Sequence, residues 1–300
     1  MSDQSAVDRQ QSGSDQLLRF IFDGTDVRGE WVQLERSYQE ALINHHYPPA
    51  VRKLVGEFLA AASLLGATLK FEGTITLQAR SEDGEIPLIM AEAGSDNSVR
   101  AIVHGAERAA STEFKRLLGR NATLTITIDP TEGKRYQGIV PLEGDSLAQC
   151  LESYFHRSEQ LPTRIWLVAD NRRVAGLFLQ ELPSRLDFEQ RSQQWQHLSM
   201  LAETVSEHEM LQLSGDEVLY RLFHQEQLRL LRRDSVSFRC SCSQERTETM
   251  LRSLGRDELE SILRERGSID VNCEFCNQLY QFGAGAVADL FAPASPATRH

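Results

Sequence analysis

The chain opens its apolar pattern at Leu17. LLRFIF and the stretch around Glu30–Leu34 read as two strands on either side of the turn signal DGTD at 23–26. Residues 35–46 read as a short helix closed by Pro48-Pro49, and residues 50–67 as a longer helix rich in Ala and Leu. That second helix is apolar on most faces, which predicts burial nearly all round. Strand signals then dominate. KFEGTITLQAR (70–80) alternates, and IPLIMAEA follows the turn EDGE. NATLTITID (121–129) and RYQGIVPL (135–142) flank PTEGK as a hairpin. A helix over 145–157 precedes a last strand pair, RIWLVAD and RVAGLFLQEL. Helices and strands mix without regular βαβ alternation, so the predicted class is α+β.

Beyond Pro183 the pattern changes. Residues 186–236 are rich in Gln, Glu, Arg and Ser. A helix over roughly 188–206 carries Trp195, Leu198, Leu201 and Val205 at helical spacing. A second, after the capping box Ser214-x-x-Glu217, carries Val218, Leu219, Leu222 and Phe223. Both apolar faces are narrow. Isolated helices of that length are marginal in water, so both must dock on something to persist. The expected organisation is a disordered N-terminus (1–15), an N-terminal α+β domain (16–184), a metastable helical linker (185–235), a small C-terminal unit (236–291) and a disordered tail (292–300). The alternative for 186–236 is an ordinary part of the first domain.

Three hundred residues with 25% charged side chains can bury at least one sizeable core. The net charge of −11 argues against a general polyanion binder, because affinity for nucleic acid rests on neutralising phosphates with Lys and Arg. The longest apolar run, Phe58 to Leu69, is interrupted by Ser63 and Gly66 and falls short of the roughly 20 residues a membrane span needs. The polar start MSDQSAVDRQQSGSDQ has no signal-peptide core. These features lead to the expectation of a cytosolic protein. Structural disulfides are rare in that compartment, so five cysteines need another account.

Four of the five supply it. Cys240-Ser-Cys242 is followed, after 30 residues, by Cys273-Glu-Phe-Cys276. Zinc favours a tetrahedron, and four thiolates satisfy it. Cys273 and Cys276 suit a tight turn that aims both sulfurs at one point. Cys240 and Cys242 lie two apart, so an extended segment sends both side chains from one face. Between the pairs, Met250, Leu251, Leu254, Leu259, Ile262 and Leu263 fall on helix-like stretches. Asp257 with Glu260 predicts a second capping box, and Gly267 a helix stop. A plain structural zinc site, a secreted-type disulfide pair and a thioredoxin-like C-x-x-C are the other readings; neither a signal peptide nor a βαβ unit supports the last two.

A unit of under about 60 residues buries little and is marginal without a staple. Structural zinc can contribute on the order of 10–16 kcal/mol of apparent folding free energy. Zinc-bound thiolates remain oxidisable through a sulfenic acid that condenses with a nearby thiol. The nearest partners are expected within each pair. Such bonds would close loops of only three or four residues and restrict the unfolded chain little. Oxidation would therefore expel the metal and leave the unit unclamped, so a redox switch stands beside structural zinc.

C-S-C, about 30 residues, and C-E-F-C followed by Tyr280 and Phe282 together resemble the bacterial redox-regulated heat-shock chaperones, the 33-kilodalton chaperonin family. LRFIFDGTDVRGEWVQL, Tyr-Pro-Pro at 47–49 and the long helix after it extend the resemblance over nearly the whole chain. It implies an ATP-independent holdase that is idle when reduced and zinc-bound through Cys240, Cys242, Cys273 and Cys276. Oxidation with unfolding stress would release zinc, form two disulfides and unfold the C-terminal unit and the linker. The exposed surfaces would hold unfolding client proteins, and the active form would be a homodimer. Trp195, Leu198, Leu222 and Phe223 are the candidate client contacts.

The remaining residues carry less. Cys150, in SLAQCLESYF, reads as a buried structural cysteine. His45-His46 has no acidic or cysteine partner at ligand spacing. Neither a G-x-S-x-G elbow, an H-x-E before the C-x-x-C, nor a phosphate-binding G-x-x-x-x-G-K-[ST] occurs, and no enzyme site is expected. The main rival is a zinc-ribbon nucleic-acid module, with Arg229, Arg232 and Arg233 as its basic patch. Residues 240–300 argue against it, since six Lys/Arg face nine Asp/Glu there. A thiol–disulfide oxidoreductase is a weaker rival and would have to turn over a dithiol substrate.

Overall fold

The computed structural model describes residues 15–70, 72–183 and 188–291, so the two expected disordered ends, residue 15 apart, lie outside the described residues. The chain divides into two units, Met1–Arg239 and Cys240–His300.

In the first unit, β1 (Gln16–Phe22) and β2 (Val27–Leu34) form the expected hairpin. Gly24 takes the left-handed φ of 79° at its turn, and Thr25 Oγ1 donates to the Phe22 carbonyl at 2.9 Å. α1 (Arg36–Leu42) is shorter than predicted. α2 (Pro49–Ala67) starts on a proline, whose missing N–H costs nothing in a first turn. Next come β3 (Gly73–Arg80), β4 (Leu88–Gly94), β5 (Ser98–His104), α3 (Phe114–Leu118), β6 (Thr123–Pro130) and β7 (Tyr136–Pro141). α4 (Leu147–Tyr154), β8 (Thr163–Ala169) and β9 (Val174–Glu181) follow. β5 and α3 go beyond the sequence reading.

The segment expected to be a helical linker holds three helices: α5 (Phe188–Ala202), α6 (Glu207–Gln212) and α7 (Gly215–Phe223). It then ends in a strand, β10 (Leu228–Ser235), where a helical segment was expected. β10 pairs antiparallel with β1, Gln16 opposite Ser235 and Phe22 opposite Leu228. A two-residue strand, β11 (Ser237–Phe238), pairs with β5. The strands form a five-stranded antiparallel sheet, β10-β1-β2-β9-β8, and a six-stranded sheet, β11-β5-β4-β3-β6-β7, with only β11–β5 parallel.

α2 packs against β2, β8 and β9 of one sheet and β3, β4 and β5 of the other, which is why it is buried on most faces. The period of two then sorts the five-stranded sheet. Leu17, Val32, Leu34 and Phe178 face the α2 core, and Leu18, Phe20, Phe22, Trp31, Leu177 and Leu179 face the other way. On that second face lie α5 and α7. Leu198, Leu222 and Phe223 are buried there, with Trp195 packed at the margin. The Phe22 and Phe223 rings meet edge to face at 4.9 Å. Polar contacts add to the docking: Gln33 Nε2 donates to the Leu213 carbonyl at 3.0 Å, and the Arg233 guanidinium grips Asp216 at 2.7 Å. The expected capping box forms, with Ser214 and Glu217 reciprocally bonded, and Ser206 with Glu209 forms another at α6. α5–α7 and β10 therefore pack as parts of the first unit, the alternative weighed for this segment. The boundary also moves from Val236 to Cys240. Val236 is buried in the α2 core, and Phe238 packs against that core.

The second unit holds α8 (Gln244–Leu254), α9 (Arg256–Arg266), the hairpin β12 (Ile269–Asn272) and β13 (Leu279–Phe282), and α10 (Ala284–Leu290). Among its described residues six apolar side chains are buried, Leu251, Leu259, Ile269, Phe282, Val287 and Leu290, with Ile262, Leu263, Val271, Tyr280 and Phe291 packed partly buried against them. The Asp257–Glu260 capping box does not form. Gly255, at φ 90°, breaks α8 from α9 and occupies the cap position itself. Asp257 thus falls inside the first turn, where its charge favours the helix dipole without capping. Gly267 stops α9 in the left-handed conformation, its N–H bonding the Leu263 carbonyl at 2.8 Å.

Candidate metal centre

Two local structures bring the cysteines together. Cys273 and Cys276 sit on the turn between β12 and β13. The Cys273 N–H donates to the Gln278 carbonyl at 2.9 Å, and the Asn277 N–H to the Cys273 carbonyl at 2.7 Å. Asn277 takes the left-handed φ of 55° that closes such a turn, a conformation Asn tolerates. Cys240 and Cys242 lie on the irregular run before α8. Ser243 caps that helix, accepting the Arg246 N–H at 3.2 Å, and the Arg246 guanidinium reaches back to the Ser241 carbonyl at 2.9 Å. The C-x-C segment is thereby braced by the helix it precedes.

All four sulfurs lie within 4.8 Å of one another and are half-buried. Cys240 Sγ meets Cys273 Sγ at 3.4 Å, and Cys242 Sγ meets Cys276 Sγ at 3.4 Å. A tetrahedral zinc with bonds of about 2.3 Å would place its sulfurs about 3.8 Å apart, so the cluster has the right size. These contacts run across the two pairs. Proximity alone therefore does not favour a bond within each pair, as the sequence spacing suggested. Four donors converging on one point bring each thiol close to a member of the other pair.

The electrostatics point the same way. Burial pushes the Cys240 thiol far above the usual range, although the Cys242 N–H is aimed at its sulfur. Burial also raises Cys276, against the Gln278 N–H. For Cys242, burial pulls upward, but the Tyr280 hydroxyl and the neighbouring thiols more than offset it, and the net shift is downward. Tyr280 Oη donates to Cys242 Sγ at 3.2 Å, and this bond is the main reason its own phenol is pushed up to about 12. The cluster thus resists full ionisation by itself. A divalent cation at its centre would reverse that balance, because a coordinated thiol is deprotonated outright. The donor set fits a closed four-thiolate site, and among the described residues no other such group of His, Cys, Asp and Glu comes together.

With that geometry established, comparison with known proteins identifies the lineage. The sequence model of the Hsp33 protein family matches residues 15–283. The chain belongs to this family. Its relatives include the 33 kDa chaperonin of Pseudomonas paraeruginosa, 52% identical over 297 residues, covering 96% of this chain and all of that protein. The 33 kDa chaperonin of Hahella chejuensis is 49% identical over 278 residues, 93% of this chain and 97% of the relative. The crystal structure of the 33 kDa chaperonin (heat shock protein 33 homolog) of Thermotoga maritima superposes with a TM-score of 0.78 at 21% identity, covering 92% and 97% of the two chains. The last likeness speaks for the fold alone. The family resemblance drawn from the cysteine pattern is thus shown, as is the α+β class with a C-terminal cysteine cluster.

Cys150 is not a member of the cluster; it is buried in the α2 core, and burial raises its thiol. His45 stacks on Tyr47 at 4.8 Å. No helix among the described residues is long and apolar enough to cross a membrane. The sequence reading named Tyr280 only as an aromatic neighbour of the motif and missed its hydroxyl contact. Nothing in linear spacing aligns a residue of β13 with a cysteine 38 positions earlier.

Proposed function

We propose that this chain is a redox-gated, ATP-independent holdase of the cytosol. The observation that carries the reading is the convergence of four thiols in a unit with only six buried apolar side chains among its described residues. A clamp dominates the stability of so small a unit. In the reduced state Cys240, Cys242, Cys273 and Cys276 hold one zinc, which when bound keeps all four sulfurs as thiolates and ties the C-x-C segment to the β12–β13 turn. In this state the chaperone is idle.

Oxidation removes the clamp by forming Cys240–Cys242 and Cys273–Cys276. The support for this pairing is energetic. Bonds within each pair leave the intervening chain unconstrained, whereas a cross-pair bond would close a loop of roughly 30 residues and restore about 3–4 kcal/mol of constraint. The second unit then unfolds, and the linker helices α5–α7 leave the outer face of the five-stranded sheet. Trp195, Leu198, Leu222 and Phe223 become the surface that holds unfolding proteins. The active form is a homodimer. The chain performs no catalysis, and with six Lys/Arg against nine Asp/Glu its second unit binds no nucleic acid.

The test pairs zinc content with suppression of client aggregation, with and without peroxide at mildly raised temperature. Zinc loss and holdase activity should rise together. Full activity in protein that retains its zinc would overturn the gate.

A further inference from the structure

Tyr280 places its hydroxyl against the cysteine cluster and reaches across the unit. It lies on β13, paired with Val271 of β12, so its backbone belongs to the hairpin that carries Cys273 and Cys276. Its Oη, however, donates to Cys242 of the other pair, at 3.2 Å. The four sulfurs are not equivalent as a result. Cys240 meets Cys273 and Cys242 meets Cys276 across the pairs, each at 3.4 Å. Cys242 receives a side-chain hydroxyl from the opposite half of the unit. Sequence distance makes that bond dependent on the unit being folded.

We infer that the Tyr280 hydroxyl is a brake on oxidation of Cys242: it withdraws charge from this sulfur while the unit is folded, and it releases the sulfur when the hairpin opens. The inference rests on the proposed redox gate and names the residue that sets its threshold. The chemistry is a two-step transfer from a hydroperoxide. Once the hydroxyl has withdrawn, the Cys242 thiolate attacks one peroxide oxygen; the S–O bond forms, the O–O bond breaks, and hydroxide leaves. The Cys240 thiolate then attacks the Cys242 sulfenic sulfur, forming the S–S bond and releasing a second hydroxide. Sulfur loses two electrons overall and the peroxide gains them. A metal-held thiol is already a thiolate, so the first step depends on the nucleophilicity of its sulfur rather than on how much of it is ionised. An O–H···S bond lowers that nucleophilicity, as any fall in thiolate basicity does. Unfolding removes the brake at the moment heat and oxidant act together, so the two stresses are read jointly.

The test is Tyr280→Phe, which removes the hydroxyl and keeps the ring, with Phe282→Leu as a control that loosens the six-residue core. Each full-length protein is loaded with zinc, exposed to a small excess of hydrogen peroxide at a temperature where it stays folded, and quenched with a sulfenic-acid trap and an alkylating agent. Modification is read cysteine by cysteine by mass spectrometry. Tyr280→Phe should speed sulfenic-acid formation at Cys242 about threefold, from the shallow dependence of rate on thiolate basicity, and leave the first-hit rates of Cys273 and Cys276 within error. Phe282→Leu should raise all four rates together. An unchanged Cys242 rate in Tyr280→Phe overturns the brake, and so does a parallel rise at all four cysteines matching the control. If Tyr280→Phe does not fold, the unsubstituted protein decides: the trap should label Cys240 before Cys242 while the unit is folded, and the preference should vanish when it is unfolded. Failure of the gate reading itself would look different, with wild-type protein binding no zinc or shedding none on oxidation.

Discussion

The two units reach a folded state by different means. In Met1–Arg239, α2 lies between two sheets and its core runs from Leu17 to Val236, so apolar burial is spread over many elements. In Cys240–His300, six apolar side chains and one thiol cluster share the task, while Met250, Leu254 and Leu279 stay exposed. Loss of one contact in the first unit is a local event. On the proposed zinc clamp, loss of the cluster in the second would remove the main staple of a small unit. A third region, α5–α7, sits between these extremes. It docks on the large unit through one narrow face, so it borrows its order from the sheet beneath it.

The strongest test of that contrast is Cys273→Ser with Cys276→Ser. The variant should lose its zinc, and the on the order of 10–16 kcal/mol attached to such sites should go with it. Hydrogen exchange should then show residues 240–291 unprotected and residues 16–181 still protected. Full zinc content in the variant would end the assignment. Phe22→Ala comes next. It cuts a cavity under Phe223 while leaving all four candidate client contacts unsubstituted, and core Phe→Ala changes cost about 3–5 kcal/mol. Protection across 188–223 should fall in reduced protein, with holdase activity appearing before any oxidant is added. Gly215→Ala is a subtler form of the same test. A Cβ there would lie 2.6 Å from the Trp31 indole and 2.8 Å from Leu18, so α7 must lift from the sheet. Overpacking of this kind costs about 1–3 kcal/mol, and limited proteolysis within 207–223 should quicken. Ser214→Ala should have the smallest effect, about 1 kcal/mol, read as a lower melting temperature of the linker helices.

The cap also carries a pH signature. Backbone and side-chain hydrogen bonds from Ser214 hold the Glu217 carboxyl below its ordinary value of 4.5. A depressed carboxylate contributes stability above the unfolded value and loses it as pH falls through the folded one. Linker protection in wild-type protein should therefore fade below pH 4.5, and the fade should shrink in Ser214→Ala.

Local chemistry made much of this legible. The β1–β2 hairpin, α2 and the Ser214 cap each carry their signal within a few residues, and the cysteine spacing announced a four-thiol site. What escaped depended on remote partners. LRLLRRDS became β10 because β1 offers an open edge, which no feature of the segment itself reveals. Its charges read as a basic patch, yet Arg229 pairs with Asp23 and Arg233 with Asp216. The second capping box was misplaced because Gly255 shifts the start of α9 by two residues. Ser206-x-x-Glu209 was readable and overlooked. The sulfur contacts across the pairs arise only once four ligands share one centre.

The strand pairing of β10 with β1 gives the linker a fixed address. β9 holds one end of the segment in the five-stranded sheet at Glu181, and β10 holds the other in the same sheet from Leu228 onward. Helices that leave this surface do so as a tethered loop and stay within reach of the face they came from. Their return is a one-molecule event, independent of protein concentration, and closing such a loop costs an entropy that grows only with the logarithm of its length. On the proposed function, a client held on the loop would compete with the sheet for the same apolar side chains, and re-docking of the helices would itself be the eviction step.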